Sequence, residues 1–240
     1  MKAVILAGGM GTRLLPLTRL LNKHLLPVGK LPMICYGLHR LQEAGITDIL
    51  LVTGRQAAGS FTDFLGSGQE FGVSLTYRIQ EEAGGIAQAL DLAKPFIGDD
   101  RKFIVLLGDN LFEEPLKPHI DAFTRQPDGA MVLLKQVPDP HRYGVPVFDY
   151  NGKIERIDEK PADPQTDHIV TGIYMFDDTV FTHITEQAPS HRGELEITDV
   201  NNAYAAKNKL EYSQIHGWWT DAGTFESLLE AANKLIGTVP

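Results

Sequence analysis

The sequence predicts an α/β fold: a mainly parallel sheet with helices on both faces, carrying a small antiparallel lobe. Three observations lead there. Short apolar runs alternate with helix-like segments through the first half of the chain, as expected when parallel strands are joined by helical crossovers. In the second half, Asn151-Gly152 sits between two alternating runs, the pattern of a hairpin. The chain has 240 residues, 43% of them hydrophobic and 22% charged, enough for a large core built as one domain or as a core with an inserted lobe.

Strands are expected at Ala3–Leu6, Ile49–Thr53, Val73–Ile79, Phe103–Leu107 and Ala130–Leu134, each a compact apolar run. Helices are expected between them at Met33–Ala44, Gln56–Leu65, Ile86–Ala93 and Leu116–Thr124, several opening or closing beside Pro or Gly. Past residue 140, "RYGVPVFDYNGKIERIDEKP" predicts a hairpin with a type I′ turn at Asn151-Gly152. Pro146 within it implies an edge strand or a bulge. With the run His168–Phe176 that follows, this predicts the antiparallel lobe. Helices near Asp178–Gln187 and Thr198–Asn208, a strand near Leu210–Ile215 and a helix over Thr224–Ile236 complete the chain. In such sheets ligands gather outside the carboxyl ends of the strands. The glycine-rich loop after the first strand and "GDN" after Phe103–Leu107 both lie at that edge and are expected to share one site.

Charge narrows the function classes. The net charge of −9 argues against nucleic acid or an anionic membrane held by overall attraction. Yet the first 40 residues carry six bases (Lys2, Arg13, Arg19, Lys23, Lys30, Arg40) and no acid. A positive segment in an acidic protein points to a small anionic ligand. The single cysteine, Cys35, provides no disulfide framework, and no apolar run reaches bilayer length. The five apolar residues after Lys2 are too few for a secretory signal. A cytoplasmic location is expected.

The loop Gly8-Gly9-Met10-Gly11-Thr12-Arg13 invites comparison with two phosphate-binding patterns. The dinucleotide fingerprint needs a third glycine where Leu14 stands, and the P-loop needs Gly-Lys-Ser/Thr; neither is present. The underlying physics still applies, since glycines let backbone N–H groups approach phosphate oxygens and Arg13 adds a charged fork. A bare GGxG is more often a tight turn. The full segment "LAGGMGTRLLPLT…NKHLLPVGKLPM" is far more specific. It resembles the signature of the sugar nucleotidyltransferases, nearest to glucose-1-phosphate thymidylyltransferases, and further matches follow along almost the whole chain: "YRIQEEAGGIAQAL", "VLLGDN", "DPHRYGV", "EKP", "VTGIYMFD", "RGELEITDVN" and "WWTDAGT".

The resemblance implies a Rossmann-like core and an Mg²⁺-dependent transfer of a thymidylyl group from dTTP to glucose 1-phosphate, releasing pyrophosphate. It implies one nucleotidyltransferase domain over residues 1–240: a nucleotide-binding core to about residue 135, a sugar-phosphate-binding lobe with a metal-ligand segment to about 222, and a closing helix over 223–240. Such chemistry needs positioning and charge neutralisation rather than a protein nucleophile. For the nucleotide, the resemblance selects Leu6, Gly8, Gly9, Gly11, Thr12, Arg13, Lys23, Gln80, Gly85 and Asp109. For the sugar phosphate it selects Asn110, Tyr143, Gly144, Glu159, Lys160, Val170 and Arg192. Asp109 and Asp221 are the implied metal ligands, matching the one or two carboxylates that Mg²⁺ takes beside water and phosphate oxygens. Arg13, Lys23, Asp109, Lys160 and Asp221 form the implied catalytic set. Trp218 or Trp219 is read either as a cover for the sugar ring or as core, and His24 stands where relatives often carry Gln.

The resemblance also implies a homo-oligomer and no nucleic-acid or membrane partner. Many relatives continue for about fifty residues past the last helix, a stretch that contributes to subunit contacts and a regulatory nucleotide site; the chain reads as a short form without it. Rival readings are uridylyl or cytidylyl transfer, a silent nucleotide-sugar sensor, and a Rossmann oxidoreductase, the last weakened by Leu14.

Overall fold

In the computed structural model, which describes residues 1–237, seven strands join in one mostly parallel sheet. Their order is Leu210–Gln214, Ala130–Gln136, His168–Asp177, Lys102–Leu107, Lys2–Ala7, Asp48–Gly54 and Ser74–Gln80. The pairs Lys2–Ala7 with Asp48–Gly54, Asp48–Gly54 with Ser74–Gln80, and Leu210–Gln214 with Ala130–Gln136 are parallel. His168–Asp177 runs antiparallel to Ala130–Gln136. The chain is thus a mixed α/β protein, as its alternating pattern predicts.

The described chain divides into two compact units, one of residues 1–83, 106–117 and 217–237, the other of 84–105 and 118–216. The last three residues of the segment read as a closing helix, 238–240, lie outside the described residues.

In the first unit, the run Ala3–Ala7 is fully apolar and buried, which suits a strand covered on both faces. The helix Met33–Glu43 opens after Pro32 and buries Met33, Ile34, Leu38 and Leu41. A two-stranded antiparallel ladder pairs Asn110–Phe112 with Trp219–Asp221. Its Leu111, with Ala222, packs into a buried cluster with Val28, Met33, Tyr36, Ala231 and Leu235. The helix Phe225–Leu235 starts at a capping box in which Thr224 and Ser227 satisfy each other's backbone N–H groups. This packing fixes the segments that carry Asp109, Asn110 and Asp221.

In the second unit, the hairpin joins Gly144–Phe148 to Ile154–Glu159. Its turn differs from the expected type I′. Only Gly152 of the dipeptide has positive φ, +78°, so Tyr150-Asn151-Gly152 forms a three-residue loop. Gly152 N–H donates to the Asp149 carbonyl and Asp149 N–H to the Lys153 carbonyl, while the Asp149 carboxylate accepts from the N–H groups of Asn151 and Lys153. Asp149 thereby stabilises Asn151 in a right-handed turn, and glycine alone takes the left-handed position. The run at His168–Phe176 also departs from expectation, for it joins the central sheet rather than the two-stranded hairpin. The helix expected at Ile86–Ala93 ends at Asp91, and a further short helix, Lys94–Ile97, follows with Pro95, which lacks an N–H, in its first turn.

The buried Asp177 carboxylate organises this unit's interior. It accepts hydrogen bonds from the backbone N–H of Gly129 at 2.5 Å, the Tyr204 hydroxyl at 2.8 Å and the Thr179 N–H at 3.1 Å. Tyr204 stacks on Phe176, which lies beside Phe103. Removing the acceptor strands several buried donors. We expect Asp177→Ala to lower stability by roughly 3 kcal/mol or more and Tyr204→Phe by about 1 kcal/mol, read from urea unfolding midpoints. Equal midpoints for Asp177→Ala and wild type would disprove the network's importance.

Candidate active site

The glycine loop and the "GDN" loop meet in the first unit because Gly108 N–H donates to the Leu6 carbonyl at 2.9 Å, extending the strand pairing past its end. Lys23 then bonds and ion-pairs with Asp109, with both side chains only 13% exposed. Asp221 pairs with Asn110 in the short ladder, and Ala222 N–H donates to the Asp109 carbonyl at 2.9 Å, placing the two acid-bearing backbones side by side. A Cβ built on Gly223 would lie 2.8 Å from Arg13 Nη2 and 3.5 Å from Asp221 Oδ2, so the guanidinium and this carboxylate border the same space. Arg13, Lys23, Asp109 and Asp221 are therefore neighbours although 208 positions separate the first from the last.

The glycines yield space to these side chains. A Cβ on Gly8 would fall 2.5 Å from Gln80 Oε1, and one on Gly9 would fall 3.3 Å from Lys23 Cε. Gly11 has φ +64°, and its Cβ would meet Thr18 Cγ2 at 2.8 Å and Lys23 Cβ at 2.9 Å. Thr18 Oγ1 donates to the Gly11 carbonyl at 2.9 Å, and Thr12 and Arg13 open the short 3₁₀ turn that follows. The loop is a close-packed seat in which Gln80 and Lys23 lie against bare backbone.

Electrostatics follow from burial and charge. Burial works to raise the Asp109 carboxyl, but the Lys23 ammonium and the hydrogen bonds from Lys23 and Asn110 outweigh it and hold the acid far below the usual carboxylate range. His24 is buried, and desolvation, with Lys23 beside it, lowers its pKa to about 3, so it is neutral at physiological pH. Its Nδ1 lies 2.7 Å from Asn22 Oδ1, which also accepts from the His24 N–H. His24 is packed against Gly108, where a Cβ would fall 2.8 Å from its Cδ2.

The second unit carries the residues read for the sugar phosphate except Asn110, which lies in the first. Gly144 pairs with Glu159, and Lys160 N–H donates to the Tyr143 carbonyl at 3.0 Å. Glu159 accepts from Thr198 Oγ1 at 2.6 Å and from Lys160 Nζ at 2.8 Å. Burial tends to raise the Glu159 pKa, but these bonds and the nearby Arg192 bring it below its ordinary value. Lys160 holds φ +47°, unusual for a residue with a side chain. Arg192 Nη2 lies 2.8 Å from Glu196, 3.8 Å from Glu194 and 3.9 Å from Glu159. Asp199 is raised by burial and by Glu196 and Glu159. Val170 is buried, and the pairing register shifts between Val170 and Tyr174, the kind of irregularity that re-aims side chains at the edge of a site. Gly85 has φ +100°, and a Cβ there would fall 2.5 Å from the Leu195 carbonyl oxygen; Leu195 N–H donates to Gly84 at 2.8 Å.

Sequence reasoning did not find Asn22, Thr18, Thr198, Glu194 or Glu196; of the three acids around Arg192 it had named only Glu159. Glu196 stands four residues after Arg192, but the pair precedes the helix Ile197–Ala205, so helical spacing gives no signal for it. Trp219 is buried, its Nε1–H bonded to Asn110 Oδ1, whereas Trp218 donates to Glu230. Among the described residues no group of three or more His, Cys, Asp or Glu could hold a metal ion. A pair of carboxylates is the donor set that suits Mg²⁺, which fills its shell with water and substrate oxygen.

A family model described as nucleotidyl transferase matches residues 2–237. The chain belongs to this nucleotidyl transferase family. Glucose-1-phosphate thymidylyltransferase of Neisseria meningitidis is 44% identical over 237 residues, spanning 97% of this chain and 82% of that protein. A Bacillus anthracis structure, described as a candidate glucose-1-phosphate thymidylyltransferase in complex with sucrose, superposes with a TM-score of 0.94 at 51% identity, covering 100% of this chain and 96% of that one. UDP-glucose pyrophosphorylase complexed with UDP-glucose superposes with a TM-score of 0.88 at 27% identity, covering 97% of each chain. This nucleotidyltransferase is accordingly an enzyme. No helix among its described residues is long and apolar enough to cross a membrane.

Two outcomes test the site's physics. His24 with its lowered pKa stabilises the fold above the unfolded-state value of about 6.5. That contribution is lost as pH falls from there toward 3, where the unfolded chain binds the proton and the folded one does not. His24→Gln should flatten this acid limb in urea midpoints measured against pH; an unchanged limb would assign it to other groups. Gly11→Ala should strain the left-handed turn and displace Lys23, raising the KM for nucleoside triphosphate about tenfold or more while most of the fold survives. Kinetics with an unchanged KM would refute the seat.

Proposed function

We propose that this enzyme transfers a thymidylyl group from dTTP to glucose 1-phosphate, giving dTDP-glucose and pyrophosphate. The observation that carries the reading is the 44% identity with a glucose-1-phosphate thymidylyltransferase over 97% of the chain, and the neighbouring Arg13, Lys23, Asp109 and Asp221 support it. In this reaction a phosphate oxygen of the sugar phosphate attacks the α-phosphorus of dTTP. A new P–O bond forms, the bond from that phosphorus to the bridging oxygen breaks, and pyrophosphate leaves with the electron pair. The attacking oxygen is already anionic near neutral pH, so no protein base is required.

The energetic obstacle is the mutual repulsion of two anions, and the chain's own residues oppose it. Arg13, Lys23 and the amides around Gly8, Gly9, Gly11 and Thr12 receive the triphosphate, while Leu6 forms part of the nucleotide site. Gln80 offers both a donor and an acceptor to the thymine edge, and Gly85 lets backbone approach the ring. Lys160 and Arg192 neutralise the sugar phosphate, and Glu159 accepts from sugar hydroxyls; Tyr143, Gly144, Val170 and Asn110 are the other residues read for the sugar. Asp109 and Asp221 would hold Mg²⁺, which supplies charge neutralisation at the α-phosphate when bound. Positioning of this type, rather than covalent catalysis, accounts for the absence of a nucleophile in the scheme.

A second reading, uridylyl transfer, is favoured by the TM-score of 0.88 to UDP-glucose pyrophosphorylase. One assay separates the two. With Mg²⁺, glucose 1-phosphate and each nucleoside triphosphate in turn, pyrophosphate release should be fastest with dTTP. A faster rate with UTP would transfer the assignment to uridylyl transfer, and no release with any pair of substrates would indicate a sensor. Asp109→Asn and Asp221→Asn should each lower kcat by 100-fold or more with the circular dichroism spectrum retained; near-normal turnover in both would remove the metal assignment.

A further inference from the structure

Asp109 is held from two sides. Lys23 occupies its Oδ2, and Asn110 Nδ2 donates to its Oδ1 at 3.1 Å. Asn110 is itself oriented, because Trp219 Nε1–H donates to its Oδ1 at 2.9 Å. Indole nitrogen can only donate, so this bond fixes which end of the Asn110 amide is oxygen and directs its NH₂ group to the carboxylate. Trp219 and Asn110 are buried, at 8% and 5% exposure, so water competes weakly for either bond. The ladder that pairs Trp219 with Phe112 and Asp221 with Asn110 places both partners on rigid backbone, beside the second acid. Asn110 is thus a buried amide, next to buried Leu111 and Phe112, with its oxygen and its nitrogen both bonded.

We propose that Trp219 is a positioning residue for the metal: acting through Asn110, it sets the orientation of the Asp109 carboxylate that receives the divalent ion. The proposal rests on the assignment of Asp109 as a metal ligand. A carboxylate free to rotate loses affinity when a ligand must be found in one orientation, and residues that orient metal ligands are typically worth 10–100-fold in metal affinity.

The test measures Mn²⁺ binding by electron paramagnetic resonance, with protein alone and with protein plus dTTP, alongside the Mg²⁺ concentration for half-maximal pyrophosphate release. Trp219→Phe keeps the ring and removes the donor; it should weaken Mn²⁺ binding and raise the Mg²⁺ requirement about tenfold. Activity at saturating Mg²⁺ should recover substantially, which a general packing defect would not permit. Asn110→Leu, close in volume, should shift metal binding similarly. The double variant should be no worse than Asn110→Leu alone, because both changes break one chain of bonds. Wild-type Mn²⁺ binding in either folded single variant, or multiplicative losses in the double variant, would overturn the proposal. Asp109→Asn is the control that separates the two assignments. If it retains Mn²⁺ binding, the metal-ligand reading fails with the proposal; if it loses binding while Trp219→Phe does not, only the role of Trp219 fails.

Discussion

The contact between Lys23 and Asp109 is the constraint on which the rest of the site depends. It ties the loop after the first strand to the loop after Lys102–Leu107, two segments that a parallel sheet brings to one edge but does not by itself join. Both groups are largely removed from water, so breaking the pair from one side would leave an uncompensated charge, a loss typically of about 3–5 kcal/mol. The arrangement fits a site built for anions. Beside Lys23 the Asp109 carboxylate is held strongly acidic, so it stays ionised through the physiological range.

Around this pair the glycines work by yielding volume. At Gly8, Gly9 and Gly11 the missing Cβ leaves room for Gln80, Lys23 and Thr18. The same economy recurs at Gly223, beside Arg13, and at Gly108, against His24. Burial keeps His24 uncharged, so it adds no repulsion to Lys23 and serves as shaped, neutral filling behind the loop. Charge is therefore concentrated in a few side chains, and the bulk around them is kept electrically quiet.

The second unit manages charge differently. Arg192 faces Glu159, Glu194 and Glu196, and Lys160 lies on Glu159. Acids outnumber bases in this cluster, which suits recognition of hydroxyl groups as much as of phosphate, because ionised carboxylates accept several hydrogen bonds each. Thr198 orients Glu159 from the helix Ile197–Ala205, and Asn202 of the same helix bonds both backbone groups of Ile157 on the neighbouring strand. Helix and hairpin are thus clamped at the positions where the proposed sugar contacts begin.

The sequence by itself determined the α/β class, most strand positions and the meeting of two strand-end loops, because buried strands and glycine turns leave strong local signals. Its motifs also led to the family. Local signals failed where a competing side chain intervened: the Asp149 carboxylate replaced a type I′ turn with a three-residue loop, and no periodicity could tell that His168–Asp177 belongs to the central sheet. Only the tertiary structure decided that segments 106–117 and 217–237 return to the unit of the first strand. It alone put Trp219 on Asn110, Lys23 on Asp109 and three acids around Arg192. These contacts link residues with no common spacing, and their geometry comes from sheet order and ladder register, which sequence patterns do not encode.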